Sequence, residues 1–241
     1  GTRSAQVYLA SPETAVACAL TGEMTDPRDL GQAPPTVRLP RRLVIDDAMI
    51  LPPADDPDAV EVVRGPNIVP PPPFEALPDR LAGPVTLKVE DKITTDHIMP
   101  AGRLAVYRSN VPKYAEYVFS RVDETFAERA AEIRDAGKAN VVVAGESYGQ
   151  GSSREHAALC PRFLGVRAVI AKGIERIHQA NLVNFGILPL VFETGTDYDA
   201  VDQGDDLELD GLQTAVAEGE TLTVRNVTKG TEMTVRLEAS P

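Results

Sequence analysis

The stretch from Val141 to Leu159 constrains this 241-residue chain more than any other. Val141-Val142-Val143 is a β-branched run, and Gly145 to Gly151 carries three glycines in seven residues. Ser152-Ser153-Arg154 then leads into Glu155-His156-Ala157-Ala158-Leu159. That order predicts a strand over 140–144, a tight loop, and the N-terminus of a helix over 153–164. Glycines in such a loop let a backbone approach a ligand closely, and the first N–H groups of a helix are free to hold an anion. Two hydroxyls and a guanidinium at that point suit a carboxylate better than a nucleotide. No lysine follows the glycines as a P-loop requires, and the spacing is not Gly-x-Gly-x-x-Gly. The same residues also fit a purely structural role, a glycine-rich turn closed by a serine N-cap.

Around this stretch the chain divides into three. In residues 1–26, Val7 to Ala10 reads as a short strand. Ser11-Pro12-Glu13 opens a helix that runs through Ala15 to Leu20 and stops at Gly22. One strand and one helix cannot make a core, so this piece is expected to dock elsewhere. Between Pro27 and Pro84 lie fourteen of the twenty prolines. They predict a semi-rigid connector over 27–80, with short strands or edge contacts at Ile45 to Leu51 and Val60 to Val63. From about Leu81 strands and helices alternate: strand 84–89, helices 112–119 and 123–136, strand 140–144, helix 153–164, strand 168–171, helix 174–185 and strand 188–192. Short β segments follow at 207–209, 221–224 and 234–237. The expected fold over 81–241 is α/β: a mainly parallel sheet flanked by helices, with right-handed crossovers and a β-rich C-terminal part.

A second polar constellation, Asp91 to Gly102, follows the strand at 84–89, and Arg108 lies twelve residues beyond Asp96. Ligands of open α/β sheets bind beyond the carboxyl ends of strands, so this loop and the 145–154 loop are expected to share one crevice. There Asp96 beside Arg154 or Arg108 would orient a guanidinium toward a carboxylate. Taken on its residues alone, Asp96-His97 fits an ordinary turn with a capping aspartate better. His97, His156 and His178 are scattered and read as structural, and Lys172 to His178 as a solvated helix start.

A formal charge of −12 argues against nucleic acid or an anionic membrane as partner, since no basic excess exists to displace counterions. Cys18 and Cys160 form neither a Cys-x-x-Cys pair nor a metal-ligand set. With no apolar run of membrane length and no charged-then-apolar leader pattern, a soluble, cytoplasmic protein is expected.

Tyr148 to Leu159 and Asp91 to Gly102 resemble the C-terminal swivel domain of aconitases, as do Arg64-Gly65-Pro66-Asn67-Ile68 and Arg176 through Pro189. The overall pattern is most similar to the shorter bacterial aconitases. Val7 to Arg28 resembles the end of the domain that precedes the swivel. The resemblance implies that Ser152 is the catalytic base, an alkoxide removing the substrate's α-proton. Ser153 and Arg154 would bind substrate carboxylate, Arg108 would be the swivel domain's other substrate arginine, and Asp96 its active-site aspartate. Loop N–H groups and arginines that stabilise an anion are what a serine base needs. The resemblance further implies a tricarboxylate substrate and a 4Fe-4S cluster bound by cysteines of preceding domains. Two further substrate arginines and the groups handling the leaving hydroxyl would also lie upstream of Gly1. The chain is then expected to be the C-terminal part of a larger hydro-lyase of citrate and isocitrate, inactive alone, with the N-terminal aconitase domains as its partner.

Three other readings remain at this level. One is the small subunit of an isopropylmalate dehydratase-like enzyme, against which residues 1–26 and the proline-rich linker argue. Another is a binding or RNA-regulatory module, disfavoured by the acidic balance. The third is a phosphate-binding domain built on the Gly145–Gly151 loop.

Overall fold

The computed structural model describes residues 6, 8–33, 36, 38–218 and 221–238, which fall into two compact units, Gly1–Glu61 and Val62–Pro241. The division lies inside the segment read as a connector.

In the first unit, helix α1 spans Pro12–Thr21. The Ser11 hydroxyl accepts from the Thr14 N–H at 3.2 Å, proline occupies the first turn, and Gly22 at φ 81° closes the helix on the Cys18 carbonyl. A 3-10 turn follows at Pro27–Leu30, opened by Asp26, whose carboxylate accepts from the Arg28 N–H at 2.9 Å. Of the strand expected at Val7 to Ala10, Val7 lies outside the described residues, and Tyr8 to Ala10 form no strand. Ile45 to Leu51 and Val60 to Val63 form none either. Asp46 and Asp47 fold the first stretch into a turn, and its large apolar side chains are exposed.

Among the described residues the second unit is built on seven strands: β1 (Arg80–Val89), β2 (Asn140–Ala144), β3 (Val166–Ala171), β4 (Leu188–Phe192), β5 (Asp206–Asp210), β6 (Thr221–Asn226) and β7 (Thr231–Leu237). Between them come α2 (Thr95–Ile98), α3 (Val111–Ala115), α4 (Phe126–Asp135), α5 (His156–Phe163), α6 (Arg176–Asn184), α7 (Asp197–Ala200) and α8 (Leu212–Glu218). Strands β1 to β4 are parallel, as the alternation predicts. The sheet, however, is not an open parallel one with a β-rich flank. β7 pairs antiparallel with β4, β6 with β7, β5 with β6, and β5 with the first half of β1, so the seven strands close into a barrel. Closure leaves no unpaired edge strand among the described residues.

β1 serves both neighbours because it changes register. Arg80 to Pro84 pair with β5, and Val85 to Val89 pair with β2. Between Val85 and Leu87 the ladder slips, so Thr86 acts as an extra residue and the side-chain parity flips. Leu81 and Val85 therefore face the barrel interior with Val141, Val143, Ile170 and Leu190. Leu87 and Val89 face outward with Val142 and Ala144. The outward layer is covered by α2 to α6, with Ile98, Phe119, Phe126 and Leu182 fully buried. Burial on both faces is why Val141-Val142-Val143 is a continuous apolar run.

Residues 69–77 run along this unit. Val69 donates to the Ser109 carbonyl at 3.0 Å, while Arg162 and Arg167 donate to the carbonyls of Glu75 and Ala76, each at 3.1 Å. Among the described residues no helix is long and apolar enough to cross a membrane.

Candidate active site

The loops that leave β1, β2 and β3 at their carboxyl ends are laced together by backbone. The Gly149 and Gln150 N–H groups donate to the Ile93 carbonyl at 2.8 and 3.1 Å, and the Thr95 N–H donates to the Gln150 carbonyl at 2.9 Å. On the other side, the Tyr148 N–H donates to the Gly173 carbonyl and the Glu175 N–H to the Tyr148 carbonyl, both at 2.9 Å. The middle loop needs left-handed backbone at Ser147 (φ 62°), Gly149 (φ 83°) and Gly151 (φ 105°). Ser147 is held there by its hydroxyl, which donates to the Glu175 carboxylate. Gly149 is required twice over, since a Cβ at that position would stand 2.3 Å from the His178 ring.

This lacing presents Ser152, Ser153 and Arg154 at the mouth of the loop. Serine does not cap the helix there, and α5 begins at His156, three residues later than the pattern predicts. The Ser152 carbonyl is engaged by the Thr95 hydroxyl at 3.0 Å instead of by the His156 N–H. Arg154 is drawn away to Asp96, its Nη1 donating to Oδ1 at 2.6 Å. That pairing holds the Asp96 carboxyl below the usual carboxylate range.

Ser152, Ser153 and Arg154 line a cleft of about 240 Å³ together with Thr95, Glu175 and Arg176. Ser153 and Arg154 also line a neighbouring groove of about 680 Å³, into which Arg108 and Arg64 contribute. The other four sequence-predicted site residues therefore gather around Arg154: Ser152 and Ser153 beside it in the cleft, Arg108 with it in the lining of the groove, and Asp96 on its guanidinium. The position of Arg108 depends on His156, whose Nε2 lies 2.8 Å from the Arg108 carbonyl, and the His156 ring rests on Tyr114. His97 is structural, its Nδ1 accepting from the Thr94 N–H at 3.1 Å in a capping box.

Lys172 to His178, read from the sequence as a solvated helix start, is partly a wall of the cleft. Glu175, Arg176 and His178 all line it, and His178 is only 2% exposed. Burial pushes His178 down to about 4, so it is neutral at physiological pH. Helical spacing hid this, because the buried face of α6 is set by its contact with Gly149 and not by its own pattern. The one signal available was the glycine that makes room for the ring.

Residues 88–195 match the aconitase C-terminal domain family. The chain belongs to the aconitase family through this domain. It is 36% identical to the mitochondrial aconitate hydratase of Candida albicans, over 72% of this chain and 25% of that protein. A putative mitochondrial aconitate hydratase of Aspergillus fumigatus is 34% identical, over 91% of this chain and 32% of the relative. The chain thus spans between a quarter and a third of the length of these relatives. The crystal structure of a 3-isopropylmalate dehydratase from Methanocaldococcus jannaschii matches with a TM-score of 0.53 at 26% identity, covering 67% of this chain and 84% of that one. The relatives named as mitochondrial overturn the expectation of a cytoplasmic location. Compartment is written in addresses read by receptors and leaves no mark on the charge or composition of a folded aconitase domain.

Proposed function

We propose that this chain is the C-terminal part of an aconitase-type hydro-lyase that interconverts citrate and isocitrate through cis-aconitate. The observation that carries the reading is the convergence of Ser152, Ser153, Arg108 and the Asp96-paired Arg154 at the carboxyl ends of the parallel strands. An aconitase domain and aconitate hydratase relatives above 30% identity favour this over a dehydratase small subunit.

In this reading Ser152 Oγ, exposed at the loop, takes the α-proton of the substrate. The charge that develops on the substrate is met by guanidinium groups whose carboxylate bonds are two-pronged. Arg154 is held in one orientation by Asp96, so its free edge is aimed before substrate arrives and little is lost in ordering it. The Ser153 hydroxyl or N–H adds a bond to the same carboxylate, and Arg108 takes another carboxylate from the groove. Residues 1–26 would belong to the preceding domain, residues 27–80 would link it to a domain over 81–241, and the N-terminal aconitase domains would complete the site.

The 4Fe-4S cluster that the family implies would act as a Lewis acid on the substrate hydroxyl. The residues here do not fit it. Cys160 is fully buried in the apolar layer, where burial pushes its thiol up to about 12, and no group of three or more His, Cys, Asp or Glu converges among the described residues. The ligands would come from other domains.

The test is Ser152→Ala in the full-length enzyme, followed by cis-aconitate absorbance. The expected result is a kcat lower by about three orders of magnitude or more with KM nearly unchanged. A near-normal kcat would overturn the assignment.

A further inference from the structure

The cleft that holds Ser152 and Ser153 is also lined by the first turn of α6, and nothing in the proposed chemistry uses it. Four observations meet there. No side chain caps α6, and the N–H groups of Arg176, Ile177 and His178 find no acceptor among the described residues. Arg176 is exposed and has no carboxylate within ion-pair distance among the described residues, whereas Arg154 is occupied by Asp96. His178 lines the cleft with both ring nitrogens buried and unpartnered. The acidic group of this wall, Glu175, has its carboxylate engaged by the Ser147 hydroxyl.

A helix start with free N–H groups attracts an anion, and a planar guanidinium matches a carboxylate with two parallel bonds. A buried imidazole left without any partner is rare in folded proteins and marks a place where a ligand oxygen or an ordered water completes the hydrogen bonding. We propose that the first turn of α6, with Arg176 and His178, is a carboxylate subsite that takes a further carboxylate of the substrate and favours tricarboxylates over dicarboxylates. The proposal rests on the reading of the cleft as the substrate site. It adds a wall that the motif around Ser152 does not contain.

The test is amide NMR on the full-length enzyme with isotope label confined to these 241 residues, titrated with tricarballylate, with glutarate (the same chain lacking the central carboxylate), and with sulfate. Tricarballylate is expected to shift the amides of Arg176 to His178 together with those of Ser152 to Arg154, along one saturation curve. Arg176→Gln is expected to weaken tricarballylate about tenfold while leaving glutarate within about twofold, and Arg176→Lys to recover part of the loss. Shifts at Ser152 to Arg154 with Arg176 to His178 unmoved would overturn the subsite and leave the substrate site standing. Shifts at neither wall would overturn both. Equal saturation by sulfate would reduce the turn to an unselective anion site and overturn the preference for a carboxylate.

Discussion

Arg154 donates to Asp96 at 2.6 Å across 58 residues of sequence, and the same nitrogen lies 3.4 Å from the Met99 carbonyl. One guanidinium thus ties the loop after β2 to the loop after β1, and both ride on parallel strands that cannot slide without breaking the barrel. The pair is half-exposed on the Asp96 side, so its contribution to stability stays below about 1 kcal/mol. Its value lies in orientation.

The Asp96 carboxyl should titrate below the unfolded value of about 3.9. A carboxyl with a lowered folded pKa stabilises the fold above its unfolded pKa and loses that contribution as pH falls through the folded one. Carboxyl-carbon NMR on the wild type and on Arg154→Ala reads this directly. The midpoint should rise in the variant, and an unchanged midpoint would show that Arg154 is not its partner.

Arg154→Lys should disturb substrate binding more than folding. A lysine makes one contact to Asp96 or to a carboxylate but not both in a fixed plane. In the full-length enzyme KM is expected to rise about tenfold or more, with thermal stability within about 1 kcal/mol of wild type. An unchanged KM would remove Arg154 from the carboxylate site.

Gly149→Ala should destabilise far more than Gly137→Ala. Both glycines have positive φ, 83° and 77°, which alone costs an alanine about 1–2 kcal/mol. At Gly137 the new methyl meets nothing within 4 Å, whereas at Gly149 it would stand 2.3 Å from the His178 ring and force a further ~1–3 kcal/mol of repacking. Denaturant midpoints compare the two. Equal losses would mean that the loop and α6 are not in contact.

His178 should make the fold acid-sensitive. Its folded pKa of about 4 lies below the unfolded value of about 6.5, so the unfolded chain gains the proton first. Stability is lost as pH falls from about 6.5 toward 4, with a limiting slope of ~1.4 kcal/mol per pH unit from this group. Urea melts of wild type and His178→Phe across that window should diverge, the variant showing the shallower decline. Parallel curves would contradict a buried, neutral ring.

Asn140 staples three elements. It accepts from the Thr86 hydroxyl and donates to the Ala130 and Leu164 carbonyls at 2.8 and 2.9 Å, all without solvent. Asn140→Leu leaves buried groups on β1, α4 and the end of α5 unpaired, and a loss of about 2–4 kcal/mol is expected by denaturant unfolding. A loss under about 0.5 kcal/mol would show that those groups find other partners.

At α1 and β2 the local signal was enough for the sequence alone to determine the result, whereas at Tyr8 to Ala10, at Ile45 to Leu51 and at the start of α5 it was not. Ser11, Pro12 and Gly22 bound α1 because cap chemistry depends on neighbours within four residues, and the β-branched run at 140–144 is β2 to the residue. Ser152-Ser153-Arg154 and Asp96 were legible as candidates through a motif. What the tertiary structure alone decided is where distant segments meet. Alternation in 207–209, 221–224 and 234–237 reports that each has one buried face, but not that β5 would cross to β1 and β7 to β4 to close a barrel. The parity flip at Thr86 is invisible in the pattern, because Leu81, Val85, Leu87 and Val89 read as one continuous stripe. Likewise, nothing local to His178 says that it lies beneath Gly149. Side-chain periodicity records how much of a residue is buried, while pairing and packing between segments dozens of residues apart record against what.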